Sequence, residues 1–145
     1  MATIFLSDSE KKELAAAISA AEENTIGEIR VYLEKHCREE PLNRALKVFR
    51  QLKMEKTQER TGVLIYVAHD DRKLAIIGDK GIHEKVPENF WDEVKSEMTS
   101  NFAEGNFLAG LKLAISRCGD HLHKNFPSRS ANPNELSNEV VIGDE

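Results

Sequence analysis

The chain has 145 residues, 40% hydrophobic and 31% charged, with twenty Lys and Arg set against twenty-five Asp and Glu for a net charge of −5. That length supports one domain with a real core and excludes two ordinary ones. Basic residues dispersed among a larger number of acids argue against nucleic-acid binding, which needs a basic stripe, whereas a negative field favours cations as partners.

Ser7-Asp8-Ser9-Glu10 has the S-x-x-E form of a capping box and predicts a helix start. Leu14, Ala17, Ile18 and Ala21 give that helix an apolar face, with Lys11, Lys12, Glu22 and Glu23 expected in water, and Asn24-Thr25-Ile26-Gly27 ends it. Ile29, Val31 and Leu33 then alternate with Glu28, Arg30, Tyr32 and Glu34, the pattern of a half-buried strand carrying its charges along one side. After the polar segment 35–40, Pro41 suits the first turn of a second helix whose expected buried stripe is Leu42, Ala45, Leu46, Phe49 and Leu52.

Two apolar runs follow, Gly62–Ala68 and Lys73–Gly78, separated only by His69-Asp70-Asp71-Arg72, which reads as a β-hairpin. Neither run alternates, so both faces need cover, and helices are expected on either side of a small sheet. Strand, crossover helix and strand form a βαβ unit. Past Pro87 a third helix runs to about Ala103 with Phe90, Trp91, Val94, Met98 and Phe102 inward. Glu104-Gly105-Asn106 leads to a fourth, whose face is Phe107, Leu108, Leu111, Ala114, Ile115, Cys118 and Leu122. Residues 127–145 are rich in Ser, Asn and Pro and are expected to be largely disordered beyond a single domain of residues 1–126, with Val140-Val141-Ile142 as a possible edge strand here or on a partner. The fold class is α/β, a three-layer α/β/α sandwich on a short mixed sheet.

No run approaches the roughly 20 apolar residues of a membrane span, and the N-terminus lacks a charged region followed by a long apolar one, so a cytoplasmic protein with no membrane partner is expected. Cys118 falls on an apolar stripe and reads as core. Cys37, in a polar loop beside His36, has no third ligand or helper residue in view. No nucleophile elbow, phosphate loop or dinucleotide fingerprint is present, and His83, His121 and His123 read as surface or boundary residues.

The carboxylates sort into two neighbourhoods. One lies beyond the C-terminal ends of the first two strands, the edge where open α/β sheets bind ligands, and gathers Glu34, His36, Glu39, Glu40, Asp70 and Asp71. The other brings Asp79 to the opposite edge near Glu28, with His83 and Glu84 close in sequence. Loop carboxylates with backbone carbonyls suit hard cations, Ca²⁺ or Mg²⁺, although the spacing is not that of an EF-hand. Asp70 and Asp71 also suit a purely conformational role in the turn.

T-I-G-E-I-R-V-Y-L-E, T-G-V-L-I-Y-V-A with D-D-R-K after it, I-I-G-D-K-G-I-H-E-K-V and the F-W-D-E-V helix together resemble the TPM domain over residues 6–126. The resemblance implies an α/β/α sandwich, divalent-metal binding near acidic loops and the weak acid-phosphatase activity claimed for plant members. Asp70, Asp71 and Arg72 match the family's D-D-R turn, and Glu28 matches the acid of its G-E-I-R-V strand. Residues 78–83 depart from the common G-Y-G-L-E, with Asp79 where glycine is usual. Membrane-attached members carry an export signal and a transmembrane segment, so this chain resembles a stand-alone cytoplasmic version.

Three functions follow as expectations. The first is a Ca²⁺- or Mg²⁺-binding accessory or regulatory module using Asp70, Asp71, Glu34, Glu28, Asp79 and Glu84, with a possible protein partner. The second is a metal-assisted phosphatase-like hydrolase in which Arg72 steadies the phosphate. The third is an interaction adaptor with incidental carboxylates.

Overall fold

Helix α1 (Asp8–Glu22) begins at the capping box: the Glu10 amide donates to Ser7 Oγ at 3.1 Å, and the Ser7 amide donates to Glu10 Oε1 at 2.9 Å. The computed structural model describes residues 5–128 and 140–143. After α1 come β1 (Glu28–Glu34), α2 (Pro41–Gln51), β2 (Gly62–Ala68), β3 (Lys73–Gly78), the single turn α3 (Lys80–His83), α4 (Phe90–Ala103), α5 (Phe107–Asn125) and β4 (Val141–Ile142).

The sheet order is β3-β2-β1-β4. β1 and β2 run parallel with Glu28 opposite Gly62 and Glu34 opposite Ala68, whereas β3 returns antiparallel with Ala68 opposite Lys73. β2 is buried along its whole length, as a central strand covered on both faces must be. One face, with Ile29, Val31, Leu33, Val63, Ile65 and Val67, packs on α1, α4 and α5. The other, with Tyr32, Leu64, Tyr66 and Ala75, packs on α2. This is the expected three-layer mixed α/β architecture.

Three local expectations need correction. β1 is buried at every position except Arg30, not half-buried, because α2 and the segment before β2 cover its charged side as well. The buried stripe of α2 is Ala45, Val48 and Phe49, while Leu42 and Leu46 are 54% and 37% exposed. The helix is therefore rotated so that i, i+3 and i+4 from Ala45 meet the sheet. Finally, Glu22 is only 3% exposed, despite its expected place in water.

The C-terminal segment is tied in at two places. Thr25, in the α1–β1 turn, donates its hydroxyl to the Leu122 and Phe126 carbonyls at the end of α5. Further on, Val141 and Ile142 pair in parallel with Tyr32 and Leu33, and the Gly143 amide donates to the Leu33 carbonyl at 2.7 Å. The edge strand anticipated from Val140-Val141-Ile142 thus forms within the chain. The rest of the expected disordered tail, residues 129–139 and 144–145, lies outside the described residues.

Candidate functional site

The two parallel strands end on one edge, and there the β2–β3 turn is clasped to the loop after β1. The amides of His69, Asp70 and Asp71 donate to the carbonyls of Glu34 and Lys35 at 2.9–3.3 Å. Arg72 holds the left-handed conformation that closes the turn, with φ 54°. Asp71 Oδ2 accepts from the Cys37 amide at 2.7 Å, and its Oδ1 lies 3.0 Å from His36 Nδ1. Asp70 Oδ1 lies 3.1 Å from His69 Nδ1. The His36 contact and the Cys37 amide hold the Asp71 carboxyl below the ordinary range, so it is ionised at neutral pH. Asp70 and Asp71 keep 40% and 31% of their side chains exposed.

Glu34 reaches the same edge but is engaged. Arg44 of α2 grips it bidentately at 2.9 and 3.0 Å, and the Tyr66 hydroxyl donates to it from β2. Burial pushes the Glu34 carboxyl up, yet the hydrogen bonds from Arg44 and Tyr66 outweigh that effect and hold it below the usual range. Burial and the Glu34 carboxylate push the Tyr66 phenol upward, keeping it a donor. Glu39 pairs instead with Lys47 at 2.9 Å.

The opposite edge divides into two separate arrangements. Asp79 is held bidentately by Arg60 at 2.7 and 2.8 Å and caps α3 through the Lys80 amide at 2.8 Å. Gly81 completes this corner: its amide donates to the Arg60 carbonyl, and a Cβ there would fall on the Glu59 carbonyl oxygen. Glu28 lies fully buried against Glu22 of α1, whose Oε2 accepts from the Ile29 amide at 2.7 Å. Burial pushes the Glu22 carboxyl up to about 9, the Ile29 amide partly opposing it and the Glu28 charge adding to it, so Glu22 is the protonated member of a carboxyl–carboxylate pair. Glu84, exposed at the end of α3, joins neither arrangement.

The six carboxylates expected to bind metal are therefore dispersed. Glu34 and Asp79 are neutralised by arginines, Glu28 is enclosed and Glu84 stands exposed at the end of α3. Among the described residues no three of His, Cys, Asp and Glu converge as a ready ligand set. Cys37 is buried, with Sγ 3.1 Å from the Glu39 carbonyl, and serves the loop's structure. Arg72 does lie where a ligand can reach it, on the wall of a cavity of about 460 Å³ beside the Asp70-Asp71 turn.

Sequence reasoning missed Arg44, Tyr66, Arg60 and Glu22. Glu22 alone was signalled, since Leu14, Ile18 and Glu22 follow one another at four-residue spacing on the buried stripe.

This architecture, with its acid-rich strand ends, is that of a TPM domain, and the chain belongs to that family: the TPM domain family profile matches residues 2–121. The BA42 protein from the psychrophilic bacterium Bizionia argentinensis, solved by NMR, is 42% identical over 99% of each chain, with a TM-score of 0.89. Two more distant solution structures show the same fold. The N-terminal domain of a P. gingivalis protein is 18% identical over 84% of this chain and 79% of its own, with a TM-score of 0.70. The N-terminal domain of cg2496 from Corynebacterium glutamicum is 12% identical over 81% and 74%, with a TM-score of 0.63. No curated protein matches the chain. No helix among the described residues is long and apolar enough to cross a membrane.

Proposed function

We propose that this TPM domain is a divalent-cation-binding accessory module whose cation sits on the Asp70-Asp71 turn and stiffens the clasp between the β2–β3 turn and the loop after β1. The observation that supports this is the contrast among the carboxylates. Glu34 and Asp79 face bidentate guanidinium groups, whereas Asp70 and Asp71 face imidazoles and keep accessible oxygens. An imidazole, which carries no permanent charge, yields a carboxylate to a hard cation far more readily than a permanently charged guanidinium does.

Two carboxylates, backbone carbonyls and water make a loose oxygen site, of the kind that binds Ca²⁺ in roughly the 10⁻⁴–10⁻³ M range. A ligand that binds only the folded state raises stability by mass action. Ca²⁺ at about 10 mM is therefore expected to raise the melting temperature by about 4–8 °C, with Mg²⁺ raising it less. Asp71→Asn keeps an oxygen for the Cys37 amide but removes the charge, and should abolish most of that increment. A melting temperature indifferent to both cations in the unsubstituted protein would overturn the reading.

A further inference from the structure

The cavity beside the Asp70-Asp71 turn has a chemistry of its own. It opens at the C-terminal edge of the sheet, between the β2–β3 turn and the corner joining α4 to α5. One wall is aromatic. The Phe5 ring stacks on His69 with centroids 4.9 Å apart, meets Phe102 edge-on at 5.7 Å and lies 4.6 Å from Phe107. The other wall is cationic, formed by Arg72, Lys73 and Lys95, and no described Asp or Glu lines the cavity.

That cationic wall stands out in a chain of net charge −5. Three arginines elsewhere are held by carboxylates, Arg44 by Glu34, Arg60 by Asp79, and Arg117 by Glu93 and Glu97, whereas the exposed Arg38 and Arg50 do not line the cavity. Among the described residues Arg72 and Lys95 have no carboxylate partner, while Lys73 donates to the Cys37 carbonyl at 3.1 Å and lies close enough to Asp71 to favour its ionised form. Arg72 belongs to the β2–β3 turn, Lys73 opens β3 and Lys95 stands in the second turn of α4, and all three line the cavity. An apolar interior with a few convergent polar groups at its rim is the usual form of a small-molecule site, and this volume lies within the usual range.

We infer that the cavity binds a small organic anion with a ring-sized apolar body, the ring lying against Phe5, Phe102 and Phe107 and the carboxylate or phosphate head meeting Arg72, Lys73 and Lys95. Each part contributes separately: the aromatic wall selects the body by burial and ring stacking, and the rim selects the charge. No metal is required for either.

The full-length protein in EDTA, with its phenylalanine and histidine ring signals followed by NMR, is titrated with 3-phenylpropionate, phenyl phosphate, inorganic phosphate and benzyl alcohol. The expected result is saturable movement of the Phe5, Phe102, Phe107 and His69 rings with at least one aryl anion, and binding roughly tenfold weaker for both inorganic phosphate and benzyl alcohol. The tighter of the two aryl anions identifies the preferred head group. Lys95→Glu should weaken binding about tenfold, whereas Lys12→Glu, an equal charge change on the exposed face of α1, should alter it less than about twofold. Thr99→Glu, one turn beyond Lys95 on the same wall, provides a second exposed substitution expected to act like Lys95→Glu. The inference is overturned if neither aryl anion saturates, if inorganic phosphate binds as well as phenyl phosphate, or if the Lys95 and Lys12 variants weaken binding equally. Because EDTA removes divalent cations, these outcomes are independent of the proposed cation site.

Discussion

Arg44→Ala is expected to lower the stability of the domain by about 3 kcal/mol, the cost of leaving a buried carboxylate without its cation. Glu34 has only 7% of its side chain exposed, and two of its hydrogen bonds come from Arg44. The Tyr66 hydroxyl remains but supplies no charge. The guanidinium also lies over the Tyr32 ring, 5.9 Å from its centroid, so its loss weakens that packing too. The folded-state pKa of Glu34 is depressed, so the stability it contributes is present above the ordinary Glu range and lost as pH falls through the folded value. The penalty of Arg44→Ala should accordingly be largest near neutrality and shrink in acid. Urea unfolding at neutral and acid pH measures both features. A penalty below about 1 kcal/mol at neutral pH would mean that the pair behaves like a surface ion pair. The double substitution Glu34→Gln with Arg44→Met should recover much of the loss, because it removes the buried charge together with its partner.

Glu22→Gln acts in the opposite direction and is expected to stabilise the protein by about 2 kcal/mol at pH 7. The Glu22 carboxyl, raised to about 9 chiefly by burial, takes up a proton on folding throughout the neutral range. A pKa raised in the folded state contributes stability that is complete below the ordinary Glu value and is lost as pH rises through the folded value. Between roughly pH 4.5 and 9 this group therefore makes the protein steadily less stable as pH increases. Glutamine reproduces the protonated form: its carbonyl accepts from the Ile29 amide, as Glu22 Oε2 does, and its NH₂ donates toward Glu28. The variant should show a flatter stability profile between pH 5 and pH 9 and coincide with the parent near pH 4. Parallel profiles displaced by a constant amount would contradict the assignment of Glu22 as the protonated partner.

The layer order was legible because it rests on long apolar patterns. Gly62–Ala68 and Lys73–Gly78 have no polar face, and that alone demands helices on both sides. The capping box at Ser7 and the four-residue hairpin turn are local signals, and both elements begin and end where those signals lie. The candidate site was legible only as a set of acids at strand ends. Their partners were not, because the contacts that decide availability are long-range: Glu34 meets Tyr66 across 32 positions, and Asp79 meets Arg60 across 19. Local patterning contains no term for either pairing. The buried stripe of α2 failed for a related reason. Leu42 and Leu46 satisfy helical periodicity as well as Val48 does, and which leucines face water depends on where α2 lies across β2 and β3. Asp70 and Asp71 remained available because their contacts come from His69, His36 and one backbone amide, not from an arginine.

The claim that the Asp70-Asp71 turn binds a divalent cation is tested most directly by amide NMR spectra of the metal-free protein during a Ca²⁺ titration, with Mg²⁺ in parallel. The account predicts saturable shifts concentrated in residues 34–40 and 69–72, with Glu28, Asp79 and their neighbours unmoved. Shifts centred on residues 78–84, or spectra that stay flat through millimolar Ca²⁺, would contradict it.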